Sequence, residues 1–175
     1  KSFDMHGDPD ATVLLHGALL CNDAKLGEKT DETGRRSWQI IGDPTEGALV
    51  VVATKGGLNP EEVRKTAPRT EEFPFSSERK RMTTIHEGRL AISKGAPEVI
   101  LPSCVSIRTA AGEAPLDEAA RERVLAAARD LGSRALRVLA VARREGSDGE
   151  EGMTLLGLAG MIDPPWHAGL PVSVA

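Results

Sequence analysis

The sequence predicts an α+β domain built on a mainly antiparallel β-sheet. Two strand-like segments, 79–87 and 89–94, meet at Gly88 in a turn that is typical of a β-hairpin. The clearest helix, 117–133, is followed directly by another strand-like segment, 134–144. Because hairpins are mixed with helices rather than alternating strictly with them, a mainly antiparallel sheet is favoured over a parallel one.

The first forty residues predict one helix, one loop and one strand. Asp8-Pro9-Asp10 is typical of a helix start. Apolar residues follow it at helical spacing: Leu14, Leu15, Ala18, Leu19 and Cys21. Segment 22–36 predicts a loop because its composition is polar, and segment 37–41 (SWQII) predicts a short strand.

Two more helices precede the hairpin. Asp43 is expected to cap a helix that has Pro44 at its first position and ends at Gly56-Gly57. Asn59-Pro60 is expected to start a short third helix by the same signals.

The segments after the hairpin predict a helical turn at Pro97, the long helix capped by Asp117, and two strands. The apolar stripe of the long helix contains Ala120, Val124, Ala128 and Leu131. In the following strand, alternation places Arg137 on the face that points away from the predicted core. Segment 145–152 predicts a loop, and 153–162 predicts the last strand.

Composition excludes several classes of protein. The 175 residues are 40% hydrophobic and 27% charged, as in an ordinary globular domain. A net charge of −4 argues against nucleic-acid binding, which needs a basic surface. No segment approaches the roughly 18 apolar residues of a membrane span, so no direct membrane contact is expected. Cys21 and Cys104 are predicted to be small buried residues rather than parts of a zinc site or a disulfide.

No catalytic motif is recognisable. The sequence has no GxxxxGK[ST], no GxGxxG after a strand, and no HExxH or GxSxG. Its histidines are scattered. We therefore predict neither a catalytic residue nor a metal site, and a nucleotide would have to bind without a glycine-rich loop.

Three stretches carry the functional hypothesis, and each has a structural alternative. In GDPTEGAL, Glu46 can complete a capping box with Asp43. In SKGAPE, Lys94 can be an ordinary surface lysine. In FPFSSERKRM, a phenylalanine can belong to the core while the charges after it are solvated.

Together the stretches supply the groups that a purine nucleotide needs. Phe75 offers a ring for stacking, and Lys80 and Lys94 offer positive charge beside it. Glu46 can accept a hydrogen bond from an exocyclic amine. Arg137 is a candidate for the phosphates, because a guanidinium binds phosphate oxygens through paired hydrogen bonds.

Six motifs, in this order, resemble the nucleotide-binding domain of P-type cation-transporting ATPases, with the calcium-pump-like subclass as the closest match. The motifs are LCNDA, GDPTEGAL, FPFSSERKRMTTI, SKGAPEVIL, LRVLAVARR and GLAGMIDPP, between about Leu20 and Pro165. The resemblance implies an antiparallel sheet flanked by helices, inserted into the phosphorylation domain of a membrane pump.

The resemblance also implies roles for individual residues. Phe75 would stack on adenine, Lys94 would line the same pocket, and Glu46 would lie near the adenine amine. The remaining members of the implied site would line the pocket (Lys80, Met82), permit close approach of the nucleotide (Gly95) and reach toward the phosphates (Arg137).

The sequence also departs from the family pattern. It lacks DKTGT, whose aspartate takes the phosphoryl group. Segment 28–31 (EKTD) resembles that motif only in part. Ser77 stands where calcium-pump relatives often have a basic residue, and Trp166 replaces the arginine that usually follows DPP. We therefore assign 1–165 to the nucleotide-binding domain and 166–175 to a divergent hinge or a non-native tail.

The expected function is that of the ATP-binding domain of an ion-translocating ATPase, a cytoplasmic part of an integral membrane protein. It would bind ATP or ADP, with Mg²⁺ accompanying ATP, and present the γ-phosphate to an aspartate on a separate phosphorylation domain. The actuator domain would be a further partner, and the isolated chain is expected to be monomeric and inactive. Two alternatives stay open: a protein-interaction scaffold without nucleotide binding, and a free-standing hydrolase or transferase.

Overall fold

The computed structural model describes residues 9–30, 32–34, 36–146 and 149–162, and the backbone of 172–174. The helices are α1 (Pro9–Leu20), α2 (Pro44–Lys55), α3 (Pro60–Thr66), α4 (Pro97–Ile100) and α5 (Glu118–Ser133). The strands are β1 (Lys25–Thr30), β2 (Arg36–Ile41), β3 (Arg69–Phe73), β4 (Arg81–His86), β5 (Leu90–Gly95), β6 (Cys104–Thr109), β7 (Gly112–Pro115), β8 (Leu136–Arg144), β9 (Met153–Ile162) and β10 (Val172–Val174). The predicted α+β class is confirmed.

The main sheet is mostly antiparallel. Seven of its strands lie in the order β3-β4-β5-β8-β9-β6-β7, and β10 pairs with β9 beside them. Only β6 and β9 run parallel to each other among the described pairs. Strands β1 and β2 form a separate two-stranded antiparallel sheet.

Helices cover both faces of the main sheet. On one face, α1, α2 and α3 pack through residues such as Leu15, Leu49 and Val63 against the sheet. On the other face, α4 and α5 pack over a second apolar cluster that contains Ile100 and Ala120. The domain therefore has three layers, with a core on each side of the sheet.

Burial on both faces corrects the interpretation of β8. Ala140 and Ala142 pack under α4 and α5, as expected, but Val141 and Leu139 belong to the core under α1–α3. The face of Arg137 is therefore not turned away from the core. Arg137 itself is exposed because it lies near the start of the strand.

Three of the predicted helix starts are confirmed by their hydrogen bonds, and Asp8, predicted at the start of α1, lies outside the described residues. The Asp43 carboxylate accepts from the amides of Thr45 and Glu46 at the start of α2. Asn59 caps α3 in the same way, and Asp117 accepts from an amide in the first turn of α5. Each side chain satisfies backbone donors that the helix leaves unpaired at its N-terminus.

Several strands were not predicted correctly. Segment 22–36, predicted as a loop, contains β1 and the start of β2, and no strand was predicted at the positions of β6 and β7. Strand β9 is not the last, because β10 follows it. The proposal that 166–175 form a hinge or tail lies outside the described residues, except for the backbone of 172–174.

Two further features bear on the class of protein. Cys21 and Cys104 are both free thiols and fully buried, as predicted, and burial raises the pKa of the Cys104 thiol to about 11. In the part of the chain that the structure describes, no helix is long and apolar enough to cross a lipid bilayer.

Candidate nucleotide-binding site

A cavity of about 410 Å³ opens on the sheet face that carries α1–α3. Its volume falls within the range of small-molecule sites, which is about 300–1,000 Å³. Six of the seven residues predicted for the site line this cavity: Glu46, Phe75, Met82, Lys94, Gly95 and Arg137. The structure therefore brings together residues from α2, the β3–β4 loop and three strands.

Strand register explains how the sheet contributes to the cavity. Met82 on β4 lies directly opposite Lys94 on β5, and Lys94 pairs in turn with Val141 on β8. Because directly paired residues share a face of a sheet, these side chains all face the α1–α3 side. Two positions before Val141 on β8, Leu139 also lines the cavity.

Lys94 and Glu46 form a buried ion pair in the cavity wall. Lys94 Nζ lies 2.7 Å from Glu46 Oε1, and the side chains are only 6% and 16% exposed. The other carboxylate oxygen of Glu46 accepts from the backbone N–H of Asp23 at 3.0 Å. Lys94 is therefore not a surface lysine, and the surface alternative is wrong.

The same contacts decide the capping alternative for Glu46. Asp43 caps α2, but the two carboxylate oxygens of Glu46 engage Lys94 and Asp23 rather than completing a capping box with Asp43. The first turn of α2 thus presents a carboxylate to the cavity, with its position fixed by two donors.

The two phenylalanines around Pro74 have different environments. Phe75 lines the cavity and is 62% exposed, whereas Phe73 packs partly buried against the core under α5. The guanidinium of Arg79 lies 5.9 Å from the centroid of the Phe73 ring. Phe75 is therefore available for stacking, whereas Phe73, at the end of β3, packs against the core.

Arg137 lies at the rim of the cavity. Its Nη1 donates to the hydroxyl of Thr45 at 2.6 Å, and its side chain is exposed. Thr45 lies in the first turn of α2, so Arg137 lies next to the N-terminus of this helix, where backbone N–H groups carry partial positive charge. This side of the cavity can thus meet an anionic group.

Lys80 is the predicted residue that does not line the cavity. Its ammonium lies 4.0 Å from Glu98, with both side chains well exposed. Its backbone has φ of 50°, a conformation that L-residues seldom adopt, and its carbonyl accepts from Ala96 N–H at 3.0 Å. In this structure, Lys80 fixes the junction between the β3–β4 loop and β4.

Gly95 lines the cavity, but its lack of a side chain has a second reason. A Cβ at this position would lie 2.8 Å from Arg81 Cα and would also contact the carbonyl oxygen of Lys80. Gly95 and Arg81 are direct partners in the β4–β5 hairpin. The glycine therefore allows β4 to approach β5 closely.

Sequence reasoning missed several residues of the cavity wall. Asp23, Asp43, Thr45 and Glu72 also line it. The motif LCNDA contains Asp23, and GDPTEGAL contains Asp43 and Thr45, so the motifs included these residues without assigning them a role in the site. Glu72 stands immediately before the FPF segment, where no pattern distinguishes it from other strand residues.

A charged cluster lies under the opposite face of β4 and β5. The Glu150 carboxylate accepts from Arg79 Nη2 at 2.5 Å and from the Thr83 hydroxyl, and lies 3.4 Å from Nε of Arg81. Arg81 is 8% exposed and also donates to Ser93 Oγ at 3.0 Å. This arrangement ties Glu150 to the end of the Phe75-bearing loop that leads into β4.

Glu150 is ionised within this cluster over a wider pH range than a free carboxylate. Burial alone would raise its pKa. Hydrogen bonds from Thr83 and Arg79 and the charges of Arg81 and Arg79 outweigh burial, so the pKa of Glu150 is lowered. The negative charge thereby offsets part of the positive charge of Arg79 and Arg81.

Comparison with known proteins identifies the family. The family described as P-type ATPase, cytoplasmic domain N, matches residues 10–168. The chain belongs to this family, and the resemblance seen in its motifs is confirmed.

Its relatives are much longer proteins. The chain is 39% identical over 169 residues to a calcium-transporting ATPase of Bacillus subtilis, covering 90% of this chain and 18% of that protein. It is 44% identical over 169 residues to a probable cation-transporting ATPase F of Mycobacterium tuberculosis, covering 89% of this chain and 18% of that protein. It is 36% identical over 163 residues to the cation-transporting ATPase pma1 of Synechocystis, covering 87% and 17% respectively. The chain thus spans about a fifth of the length of these relatives.

Proposed function

We propose that this chain is the ATP-binding domain of a cation-transporting P-type ATPase. The observation that carries the proposal is the cavity in which the exposed Phe75 ring lies with the buried Lys94–Glu46 pair. The Phe75 ring is 62% exposed and lines the cavity, so it is accessible to a ligand there, and the chain contains only three phenylalanines.

The residues present fit the adenine base. Phe75 can stack on one face of the base, while Met82 and Leu139 supply apolar contact. Glu46 can accept from the exocyclic amine, because a carboxylate has unused lone pairs beyond its bonds to Lys94 and Asp23.

We propose that the phosphate groups of bound ATP extend out of the cavity along the rim that carries Arg137. The guanidinium of Arg137 and the N-terminus of α2 are suited to an anion there. Mg²⁺ would arrive with ATP, held mainly by the phosphate oxygens. The chain's own task is then to hold the base and aim the γ-phosphate outward.

We infer a division of labour with domains that lie elsewhere in the parent pump. The phosphorylation domain would supply the aspartate that accepts the γ-phosphate, and movement of the present domain would bring the phosphate to it. The actuator domain would be the further partner. The isolated chain would bind ATP as a monomer without hydrolysing it.

Titration of the isolated chain with nucleotides tests this proposal. We expect a dissociation constant for ATP within about tenfold of 1 mM, because much of the triphosphate stays in water, where charge contacts are weak. ATP, ADP and AMP should bind within roughly tenfold of one another, since most of the binding energy comes from the base. Calorimetry and phosphate-release assays measure both properties.

Two outcomes of the titration contradict the proposal. Sub-micromolar ATP binding with phosphate release would require a complete catalytic site and would favour a free-standing hydrolase. No binding of any adenine nucleotide at 10-fold above that expected constant would favour the scaffold alternative.

Substitution of Phe75 tests the stacking role. Phe75→Ala should raise the dissociation constant for ATP by about 5- to 150-fold, corresponding to about 1–3 kcal/mol for the loss of one base–aromatic stack. Thermal stability should change little, because the ring is exposed. Trp38→Ala is the matched control, since Trp38 is 73% exposed on β2 and does not line the cavity. Equal ATP affinity in the Phe75→Ala variant and the parent would remove Phe75 from the site.

A further inference from the structure

Arg69, at the start of β3, joins the segment after α1 to the sheet. Its Nη1 donates to Asp23 Oδ1 at 2.6 Å and to Glu72 Oε2 at 2.8 Å. Its Nη2 donates to the carbonyls of Leu20 and Asn22 at 3.2 and 3.0 Å. One guanidinium thus holds three residues of the 20–23 segment. The side chain is 27% exposed and lines a smaller cavity of about 220 Å³ rather than the candidate nucleotide cavity.

The segment held by Arg69 is the one that holds Glu46. The backbone N–H of Asp23 donates to Glu46 Oε2 at 3.0 Å, and the side-chain amide of Asn22 donates to the Glu46 carbonyl at 3.0 Å. Glu46 Oε1 receives Lys94 at 2.7 Å. The direction of the Glu46 carboxylate therefore depends on the position of residues 22–23, and Arg69 fixes that position.

Arg69 also changes the charge of the cavity wall. The described lining includes four carboxylates, Asp23, Asp43, Glu46 and Glu72, but only two cationic side chains, Lys94 and Arg137. Arg69 forms ion pairs with two of these carboxylates, Asp23 and Glu72. Without it, a polyphosphate would approach a more negative wall.

We propose that Arg69 is a positioning residue of the nucleotide site, which orients the Glu46 carboxylate through residues 22–23 and neutralises Asp23 and Glu72. The inference rests on the proposed function, because it assigns to Glu46 the recognition of the adenine amine. It predicts that Arg69, although it lies outside the cavity, affects both the preference for adenine over other bases and the affinity for the negatively charged phosphates.

The test compares ATP with inosine triphosphate, which carries a carbonyl oxygen in place of the amine. A carboxylate favours the amine and repels the carbonyl, so the parent chain should prefer ATP. Arg69→Met should weaken ATP binding by about tenfold and should bring the ratio of the two affinities close to one. Arg69→Lys keeps the positive charge but loses the planar set of donors. It should therefore bind ATP more tightly than Arg69→Met does, without restoring the parental preference for ATP over inosine triphosphate.

Two comparisons separate positioning from general structural damage. Arg121→Met is the matched control: Arg121 also donates to two backbone carbonyls, those of Leu101 and Cys104 at 2.5 Å each, and it lies away from the cavity. It should leave the ratio unchanged. In a chain that already carries Glu46→Gln, adding Arg69→Met should not reduce the ATP-to-inosine-triphosphate affinity ratio further, because Arg69 acts on this ratio through Glu46.

A measurement without nucleotide makes the inference independent of binding. The side-chain carboxyl carbon of Glu46, whose Oε2 accepts from the Asp23 N–H in the parent, should change its chemical shift in the NMR spectrum of Arg69→Met or Arg69→Lys and keep it in Arg121→Met. If the parent binds neither nucleotide but this carbon shifts in the Arg69 variants, the proposed function fails and the positioning of Glu46 by Arg69 stands. An unchanged chemical shift of the Glu46 carboxyl carbon in both Arg69 variants overturns the inference, as does an ATP-to-inosine-triphosphate ratio that Arg121→Met lowers equally.

Discussion

Glu150→Ala should lower the free energy of unfolding by about 3 kcal/mol, because breaking a buried ion pair leaves the other charge uncompensated. Arg81 is 8% exposed, and among the described atoms its Nε has no hydrogen-bond partner, so its charge depends on Glu150 at 3.4 Å. We place the effect at the lower end of the usual range because the Glu150 side chain is still 27% exposed, which lets water replace part of the lost interaction. Urea unfolding of the variant and the parent measures the difference.

The contribution of Glu150 should depend on pH in a defined direction. Burial opposes the ionisation of Glu150, but hydrogen bonds from Thr83 and Arg79 and the charges of Arg81 and Arg79 outweigh it, so the pKa of Glu150 is lowered in the folded chain. A lowered folded pKa stabilises the chain above the pKa of the unfolded state, about 4.3 for glutamate, and this contribution is lost as the pH falls through the folded pKa. The difference in stability between the parent and Glu150→Gln should therefore be constant near neutral pH and shrink below about pH 4.

Glu122→Ala is the control for the loss of an ordinary ion pair. Glu122 lies 3.8 Å from Arg129 on α5, with the two side chains 62% and 68% exposed. Such a surface pair contributes about 0.5 kcal/mol or less. If Glu150→Ala costs no more than Glu122→Ala, then Arg81 does not depend on Glu150 for its charge balance.

Gly95→Ala should destabilise the domain by about 2–3 kcal/mol and weaken ATP binding at the same time. The added Cβ would meet Arg81 Cα at 2.8 Å and the carbonyl oxygen of Lys80, which are backbone atoms that cannot rotate away. Strands β4 and β5 would have to separate where Met82 faces Lys94. The clash and the cavity share the same two strands, so stability and affinity should fall together.

Gly132→Ala is the matched control for this substitution. Gly132 lies in α5, and a Cβ there would meet nothing within 4 Å. Alanine should raise the free energy of unfolding by about 0.5–1 kcal/mol, because it restricts the unfolded chain and favours the helix. A Gly95→Ala variant of parental stability would show that β4 and β5 can separate without cost, and the close approach of the strands would then not require glycine.

The sequence predicted the elements whose signals are local. Asp43, Asn59 and Asp117 are caps because the side chain and the amides it satisfies lie within three residues, and this pattern is visible in the chain itself. Strand β1 was missed because its residues, KLGEKT, form half of a mostly exposed two-stranded sheet and need no alternating apolar face.

The candidate site was predictable only as a set of residue types. The motifs singled out Phe75, Lys94 and Glu46, but the ion pair between Glu46 and Lys94 joins residues 48 positions apart. Glu150 and Arg69 were missed for the same reason: their partners lie as far as 71 and 49 residues away, and no local pattern distinguishes them from surface charges. The structure was needed to decide which charges are buried and which side chains they meet.

The independence of the β1–β2 hairpin has a practical use. Its tip, residues 32–34, is exposed, and Gly34 has open space around it. The hairpin belongs to a separate sheet and rests on α2 through Ile40, whose side chain occupies the place that a Cβ on Gly47 would take. A fluorophore or an affinity tag inserted at this tip should leave the main sheet and the cavity undisturbed, whereas the β3–β4 loop, which carries Phe75, offers no such freedom.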